Sequence, residues 1–169
     1  MRVYIASPLG FTESTRQFMA RVLIPAISGV GIEVVNPWRP DKQVDELLDK
    51  MRDTKSMEER SLPWRDLVNY AGERNATDIK KSDGIVAVLD GTDVDSGTAA
   101  EVGYGAALGK WIVGYRQDLR RTGDDVAADV NLQVEYFVRA NGGDIVHNIG
   151  DLRAAVQAKT ADRSRKARA

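Results

Sequence analysis

The run at residues 85–89 constrains the fold of this chain more than any other part of the sequence. Its side chains, Ile-Val-Ala-Val-Leu, are apolar at every position, with Asp83 shortly before the run and Asp90 directly after it. Uninterrupted apolar strands are buried on both faces, as in parallel sheets that helices cover on each side. The run therefore predicts an α/β fold. Further short apolar runs that can join the same sheet lie at residues 3–6, 32–35, 111–115 and 144–147.

Helical patterns separate these five strands. Helices are predicted over residues 12–27 with Thr12 as the cap, over 42–60, from Pro63 onwards, from Asn75 as a further cap, and over 98–108, 127–140 and 152–158. Strands that alternate with helices predict a flavodoxin-like, doubly wound five-stranded parallel sheet in the order 2-1-3-4-5, with helices on both faces. In that order the ligand crevice lies at the carboxyl ends of strands 1 and 3.

A single domain accounts for the length of 169 residues, which is enough to bury one core. Residues 1–160 are assigned to this α/β domain, residues 39–67 to a charged helical insertion within it, and residues 161–169 to a disordered basic tail. The formal net charge of -1 gives no field that would attract nucleic acid or a membrane surface. Because the N-terminus leads straight into a strand, no signal peptide is expected and a cytoplasmic location is predicted.

The residue types present narrow the chemistry. There is no cysteine, which excludes disulfides, thiolate metal sites and a cysteine nucleophile, and the single His147 excludes a cluster of histidine ligands. Neither a metal nor a cofactor is expected on these grounds. Catalysis would have to come from carboxylates, hydroxyls, amides, lysine or arginine.

Two loops reach the predicted crevice, at residues 7–11 and 90–97. The second carries three carboxylates and leads into a helix whose first turn is predicted to hold Glu101. A helix N-terminus favours the ionised form of a carboxylate, which is the form that a nucleophile needs. Glu101 is therefore a candidate catalytic residue, and Asp95 on the loop ahead of it can accept a hydrogen bond from a ligand hydroxyl.

A structural interpretation of the same residues stays open. The segment from Thr98 to Glu101 spells a capping box, in which Glu101 would only accept a hydrogen bond from the backbone N–H of Thr98. The acidic loop can equally be a solvated turn or a divalent-ion site, although its spacing is not that of an EF-hand. The residues by themselves support a carboxylate site in a doubly wound fold and go no further.

The segment Asp90-Gly-x-x-x-Asp95-x-Gly-Thr-Ala-x-Glu101-x-Gly-Tyr-x-x-Ala-x-Gly109-Lys110 resembles the nucleoside 2-deoxyribosyltransferase family. The resemblance implies that Asp95 binds the sugar and that Glu101 attacks its anomeric carbon to form a glycosyl ester, with net retention of configuration. The N-terminal segment Val-Tyr4-Ile-Ala-Ser-Pro-Leu-Gly-Phe is similar to the family's first strand and active-site loop. It implies that Tyr4 holds the glutamate by a hydrogen bond.

The same resemblance implies the substrates and the remaining contacts. The partners would be nucleosides and free nucleobases, without nucleic acid or membrane. Contacts to them are implied for Ser7, Gly10, Phe11, Asp90 and Gly97. The segment Asn131-Leu-Gln133 is similar to one that a neighbouring subunit lends to the site, so Asn131 would reach the sugar across the interface of a homo-oligomer.

Two positions depart from the family's pattern and keep alternatives open. The family usually carries an aspartate before its third strand that exchanges a proton with the base, whereas the best match here is Asn75, with Asp78 three residues on. A neutral amide cannot act as a general acid. The chain can therefore be a transferase, an N-glycoside hydrolase of nucleosides or nucleoside monophosphates, or a non-catalytic nucleotide-binding regulator. Asp95 favours a free 5′-hydroxyl, because like charges about 4 Å apart repel by several kcal/mol at an effective dielectric near 20.

Overall fold

Five parallel strands form one sheet in the order β2-β1-β3-β4-β5, which confirms the predicted fold class and strand order. They are β1 (Arg2–Ala6), β2 (Glu33–Val35), β3 (Gly84–Val88), β4 (Trp111–Tyr115) and β5 (Ile145–Val146). This computed structural model describes residues 1–28, 31–121 and 123–166, without the side chains of residues 163, 164 and 166. Since β1 lies between β2 and β3, the chain reverses its winding direction there, and folds of this kind have their ligand crevice at the carboxyl ends of these two strands, β1 and β3.

Helices cover both faces of the sheet. They are α1 (Glu13–Phe18), which continues through a π-helical segment (Met19–Leu23) into α2 (Ile24–Ser28), then α3 (Lys42–Arg52), α4 (Met57–Lys81), α5 (Ser96–Ala107), α6 (Leu132–Ala140) and α7 (Ile149–Lys166). One buried cluster joins the sheet to α4, α5 and α6, and the other joins it to α2, the π-helical segment and α7. Tyr4 belongs to the first cluster, so the residues at the crevice lie on the α4–α5 side.

The longest helix, α4, begins earlier and runs further than predicted. Ser56 caps it by accepting a hydrogen bond from the Glu59 N–H at 3.1 Å. Pro63, predicted in a first turn, is the seventh helical residue, and Asn75, predicted as a cap, lies well inside the helix. Both predictions were wrong because packing of the helix, with Ile79 buried in the core, overrides these local signals. The helix predicted over residues 42–60 was also wrong. The structure has two helices there, because α3 ends at Arg52 and α4 begins at Met57 after its cap, Ser56.

The C-terminal helix α7 also exceeds its predicted length. It extends to Lys166, so the tail predicted to be disordered from residue 161 is helical as far as that residue. Residues 167–169 of the predicted tail lie outside the described part of the chain. Over the residues that the structure describes, no helix is both long enough and apolar enough to cross a membrane.

Close packing of α5 on the sheet depends on one glycine. A Cβ atom at Gly105 would lie 2.2 Å from Cδ1 of Ile85 in β3, far inside van der Waals contact. The absence of a side chain there brings the axis of α5 close to the strands. Because Glu101 lies one turn earlier on the same helix, this approach also sets how far its carboxylate is from β1.

Candidate active site

Glu101 and Tyr4 form a direct pair at the crevice. The Tyr4 hydroxyl donates a hydrogen bond to Oε1 of Glu101 at 2.6 Å, from the centre of β1 to the second turn of α5. Tyr4 is fully buried, and this burial, together with the charge of Glu101, raises the pKa of its phenol far above the usual range. Tyr4 therefore stays protonated and acts as a permanent donor. The other carboxylate oxygen, Oε2, has no hydrogen-bond partner among the described residues and is available for chemistry.

The Glu101 carboxyl is desolvated by its position. Burial raises its pKa to about 7, the hydrogen bond from Tyr4 lowers it, and the nearby charge of Asp95 raises it further. A carboxylate that has lost much of its hydration is more reactive towards an electrophilic carbon than one in water. Contrary to the expectation that a helix N-terminus favours the ionised carboxylate, burial raises the pKa, so the neutral and ionised forms of Glu101 are both populated near pH 7.

The capping-box interpretation of Glu101 is wrong. Helix α5 begins at Ser96 with Asp95 as its cap, and the Thr98 N–H and hydroxyl donate to Oδ1 of Asp95 at 2.9 and 3.2 Å. Glu101 is consequently the sixth helical residue and not part of the first turn, where it was predicted. Asp95 keeps its second oxygen without a hydrogen-bond partner among the described residues. The structure thus brings Tyr4, Asp95 and Glu101, the three predicted catalytic residues, to one end of α5.

Two residues, Asp90 and Arg116, connect the loop that carries Asp95 to the loop after β4. Asp90 accepts hydrogen bonds through Oδ1 from the backbone N–H groups of Gln117 and Asp118, at 2.6 and 2.9 Å. This bridge holds the loop after β3 to the loop after β4. Oδ1 of Asp90 therefore has a structural role. The predicted contact of Asp90 with a substrate stays a prediction.

Arg116, which the sequence analysis missed, reinforces the same bridge. Its guanidinium is buried and donates to the carbonyl oxygens of Leu89, Gly91 at 3.3 Å and Arg120 at 2.5 Å. Among the described residues this guanidinium donates to carbonyl oxygens and forms no ion pair, which is costly for a buried cation, so its position beside the acidic loop indicates a positioning role. The available signal was an arginine placed directly after the apolar run of β4.

The loop after β1 contains a capped turn and requires a glycine at one position. Ser7 is buried and caps a 3₁₀ turn (Pro8–Gly10) by accepting a hydrogen bond from the Leu9 N–H at 3.1 Å. The ring of Trp38 covers Gly10 so closely that a Cβ atom there would lie 1.8 Å from it. Only glycine fits at that position. Phe11 follows the turn and is 66% exposed, so it can contact a ligand.

The two polar residues predicted on the base side lie on the same stretch of α4. The carboxamide oxygen of Asn75 is buried and has no hydrogen-bond partner among the described residues. Asp78 is ion-paired with Arg2 at 3.3 Å and with Arg39 at 2.8 Å. The charges of Asp78 and Arg74 act on the Tyr4 phenol, so this stretch borders the site. Asp78 is a partner of two guanidinium groups rather than a free acid.

Asn131 and Gln133 lie apart from this constellation within one chain. Asn131 caps α6 by accepting a hydrogen bond from the Gln133 N–H at 3.0 Å, and it donates to Asp124 at 3.3 Å. Neither residue bonds to Tyr4, Asp95 or Glu101 in the described part of the chain. Their contribution to a neighbour's pocket stays a prediction.

The acidic loop does not form a metal cluster. Asp93 accepts a hydrogen bond from the N–H of Val94 at 2.8 Å, and Asp95 caps α5. Across residues 1–28, 31–121 and 123–166, no group of three His, Cys, Asp or Glu side chains is arranged to hold a metal ion. Gly97, a predicted contact residue, lies in the first turn of α5 beside Asp95.

Comparison with solved structures identifies proteins of the same fold. The chain resembles a solved conserved protein from Enterococcus faecalis V583, with 21% identity, a TM-score of 0.64, and coverage of 94% of this chain and 98% of that one. It also resembles a 2-desoxiribosyltransferase from Leishmania mexicana, with 20% identity, a TM-score of 0.60, and coverage of 93% and 95%. A third likeness is to a CMP N-glycosidase from Clostridium botulinum, with 14% identity, a TM-score of 0.54, and coverage of 94% and 99%.

These likenesses, at low identity, show the shared fold. A search of curated proteins gives no match. The model of the nucleoside 2-deoxyribosyltransferase family, by contrast, matches residues 3–141, which include Tyr4, Asp95 and Glu101. The chain therefore belongs to the nucleoside 2-deoxyribosyltransferase family, a family of enzymes that act on N-glycosidic bonds.

Proposed function

We propose that the protein is a nucleoside 2-deoxyribosyltransferase that works through a covalent glycosyl-Glu101 intermediate. In the first step Oε2 of Glu101 attacks C1′ of the nucleoside, and the C1′–N bond breaks with its electron pair passing to the base nitrogen. In the second step a nitrogen of the acceptor base attacks C1′, the electron pair of the ester bond returns to Glu101, and the proton of the attacking N–H group passes to water. Two inversions give net retention at C1′.

The observation that carries the proposal is the pair of Tyr4 and Glu101. A structural glutamate on a helix surface would point to solvent or bond to the backbone, whereas this one is desolvated and held through a single oxygen by a buried phenol. The hydrogen bond fixes the carboxylate and leaves Oε2 to attack. Orientation of this kind contributes to rate because the reacting atoms are brought together before the transition state.

The sugar would be oriented by Asp95. Its free oxygen lies at the end of α5 that also carries Glu101, and it can accept a hydrogen bond from a 5′-hydroxyl. A phosphate at the same place would meet the negative charge of Asp95 instead. The favoured substrates are therefore deoxynucleosides without a 5′-phosphate.

Neither Asn75 nor Asp78 is placed to give a carboxylic acid proton to the leaving base. Asn75 is an amide, and the oxygens of Asp78 contact Arg2 and Arg39. We therefore expect the base to take its proton from water, either directly or through an ordered molecule beside Asn75.

A base-exchange assay tests the proposal. The protein is incubated with deoxyadenosine or thymidine, with and without a second free base, and the products are separated by chromatography. New deoxynucleoside should appear only when the second base is present, and mass spectrometry of intact protein should detect the sugar ester in a rapidly quenched sample. Glu101→Gln is the matched control, since it keeps an acceptor for Tyr4 and cannot form the ester.

The second candidate is an N-glycoside hydrolase of nucleosides or nucleoside monophosphates. Ser96 favours it, because this exposed hydroxyl stands at the first position of α5, where a helix N-terminus attracts phosphate. Free base and free sugar formed equally fast with and without an acceptor would support the hydrolase. Binding of nucleotides without turnover would support a non-catalytic regulator and would contradict both enzymatic candidates.

A further inference from the structure

Helix α4 is longer than the sheet that it covers. Its 25 residues span about 37 Å, whereas a strand of 5 residues such as β3 spans about 17 Å. The buried residues of α4 are Asp78 and Ile79, near its C-terminal end, and every residue from Met57 to Leu62 is exposed. The N-terminal half of α4 therefore projects past the sheet.

An apolar stripe runs along this projecting half. Met57, Trp64 and Val68 are 83%, 54% and 48% exposed, and they follow one another, with Ser61, at intervals of four, three and four residues. Such spacing places all four side chains on one face of the helix. Helix α3 lies along a different side of α4, where its cap Asp41 accepts hydrogen bonds from α4. Apolar faces left exposed in this way mark interaction surfaces.

The stripe has the same spacing when it is followed from either end, which fits an antiparallel second copy. With two such helices side by side about a two-fold axis, Met57 of each copy lies opposite Val68 of the other, and Ser61 lies opposite Trp64. A small residue then faces a large one. The residues that line a cleft of about 270 Å³ on this face are Met57, Arg60, Ser61 and Trp64. Four residues of this spacing form the hole that accepts one side chain of a neighbouring helix, here the indole of the second copy.

The charges beside the stripe favour the antiparallel orientation. Glu58 and Arg65 lie seven residues apart, on the same flank of α4. In the antiparallel pair Glu58 of each copy approaches Arg65 of the other, so the two-fold axis gives two contacts between opposite charges. In a parallel pair Arg60, on the other flank, would approach Arg65 of the second copy, and these like charges would repel.

We infer that the stripe formed by Met57, Ser61, Trp64 and Val68 is a self-association surface, and that its partner is the same stripe on a second copy of the chain, packed antiparallel. A contact of this kind uses the same patch on both subunits and closes as a dimer. The surface lies on α4 and contains neither Glu101 nor any residue of α6. It is therefore independent of the proposed reaction.

Cysteine cross-linking tests the register, because the chain has no cysteine of its own. Met57→Cys and Val68→Cys proteins are mixed and oxidised, and the mixture should form a disulfide-linked dimer, since a disulfide joins residues whose Cα atoms lie within about 7 Å. Neither variant should cross-link by itself, because two copies of position 57 lie about 16 Å apart along the antiparallel helices. Leu62→Cys, on the opposite side of α4, is the control and should link to neither. Absence of the mixed dimer, or equal cross-linking of Met57→Cys alone, would overturn the inference.

Sedimentation over a wide range of protein concentrations tests the same surface without cysteines. Trp64→Lys places a charge at the centre of the stripe and should raise the Kd of self-association at least about tenfold, as loss of a central tryptophan does in other interfaces. Leu62→Lys adds the same charge at a position that is 66% exposed and faces away, so it should leave the Kd unchanged. Thermal unfolding checks that both variants are folded. An unchanged Kd in folded Trp64→Lys, or equal effects of the two lysines, would contradict the inference, whatever other surfaces the chain uses to associate.

Discussion

At the scale of single residues, substitution of Glu101 should affect activity and stability differently. Glu101→Gln should abolish base exchange by orders of magnitude, because an amide cannot form the glycosyl ester. The raised pKa means that ionising Glu101 costs free energy in the folded state, so the variant should be at least as stable as wild type above pH 7. Turnover and thermal unfolding measured on the same preparations test both expectations. Normal turnover with lowered stability would identify Glu101 as a structural residue.

The pH dependence of kcat/KM follows from the same group. Glu101 attacks in its ionised form, and burial raises its pKa to about 7 in the free enzyme. The value of kcat/KM should therefore rise with pH through about 7 and level off above it, because kcat/KM reports the ionisation of the free enzyme. Tyr4→Phe removes the hydrogen bond that lowers this pKa, so the rise should move to higher pH. A profile already flat at pH 5 would contradict the assignment.

Asp95 should determine the response to a 5′-phosphate. A hydrogen bond from the 5′-hydroxyl to a charged acceptor contributes about 1.5–3 kcal/mol, and a phosphate would lose it and add repulsion. A difference of about 3 kcal/mol corresponds to roughly a hundredfold in kcat/KM in favour of the deoxynucleoside. Asp95→Ser keeps a residue that can cap α5, so it should narrow this ratio without unfolding the helix. Preference of the wild-type protein for the monophosphate would support the hydrolase.

At this scale the sequence predicted those site residues that lie close together in the chain, and it did not predict contacts between distant residues. Glu101 and Asp95 could be singled out because they lie six residues apart on one element. The choice between Asp95 and Thr98 as the cap could not be made locally, since both are capping residues, and the bond from Tyr4 to Glu101 joins residues 97 positions apart. Trp38 had no signal at all, because its contacts to Ser7 and Gly10 arise only when β1 and β2 pair.

At the scale of elements, the strands were predictable and the ends of α4 were not. Strands β1, β3 and β4 are buried on both faces, so composition by itself marks them. In α4 the local signals at Pro63 and Asn75 predicted that new helices begin there. In the structure, Tyr70 and Arg74 of the same continuous helix both bind Asp41, the cap of α3, at 3.1 and 2.6 Å. These tertiary bonds hold the helix against α3 whatever the local propensity.

Two glycines of α5 should respond to alanine with opposite signs. Gly105→Ala places a methyl group against Ile85, and overpacking of this kind costs about 1–3 kcal/mol, more than the helix propensity gained. Gly103→Ala meets only an ordinary contact with Phe137 at 3.6 Å, so it should stabilise the protein by up to about 1 kcal/mol. Denaturant unfolding of both variants measures the difference. Equal effects would contradict the close approach of α5 to the sheet.

At the scale of the whole molecule, the site described within one chain leaves Asn131 unused. The residue caps α6, and Leu132 and Tyr136, which follow it on that helix, are 60% and 61% exposed. Exposed apolar side chains beside a predicted contact residue are consistent with burial against a second copy. We therefore expect a homo-oligomer in which Asn131 enters the neighbour's pocket.

Mixing two inactive variants tests this arrangement directly. Asn131→Ser retains a capping hydroxyl for α6 but lacks the reach of the amide, and Glu101→Gln lacks the nucleophile. If each pocket combines Glu101 of one subunit with Asn131 of another, a mixed dimer contains one pocket with neither defect. Random equal mixing of dimers would then restore up to about one quarter of wild-type activity, since isologous interfaces place the two pockets symmetrically. Subunits are exchanged under mild denaturation, and native mass spectrometry verifies the mixed species. Inactive mixed oligomers would show that each pocket is complete within its own chain.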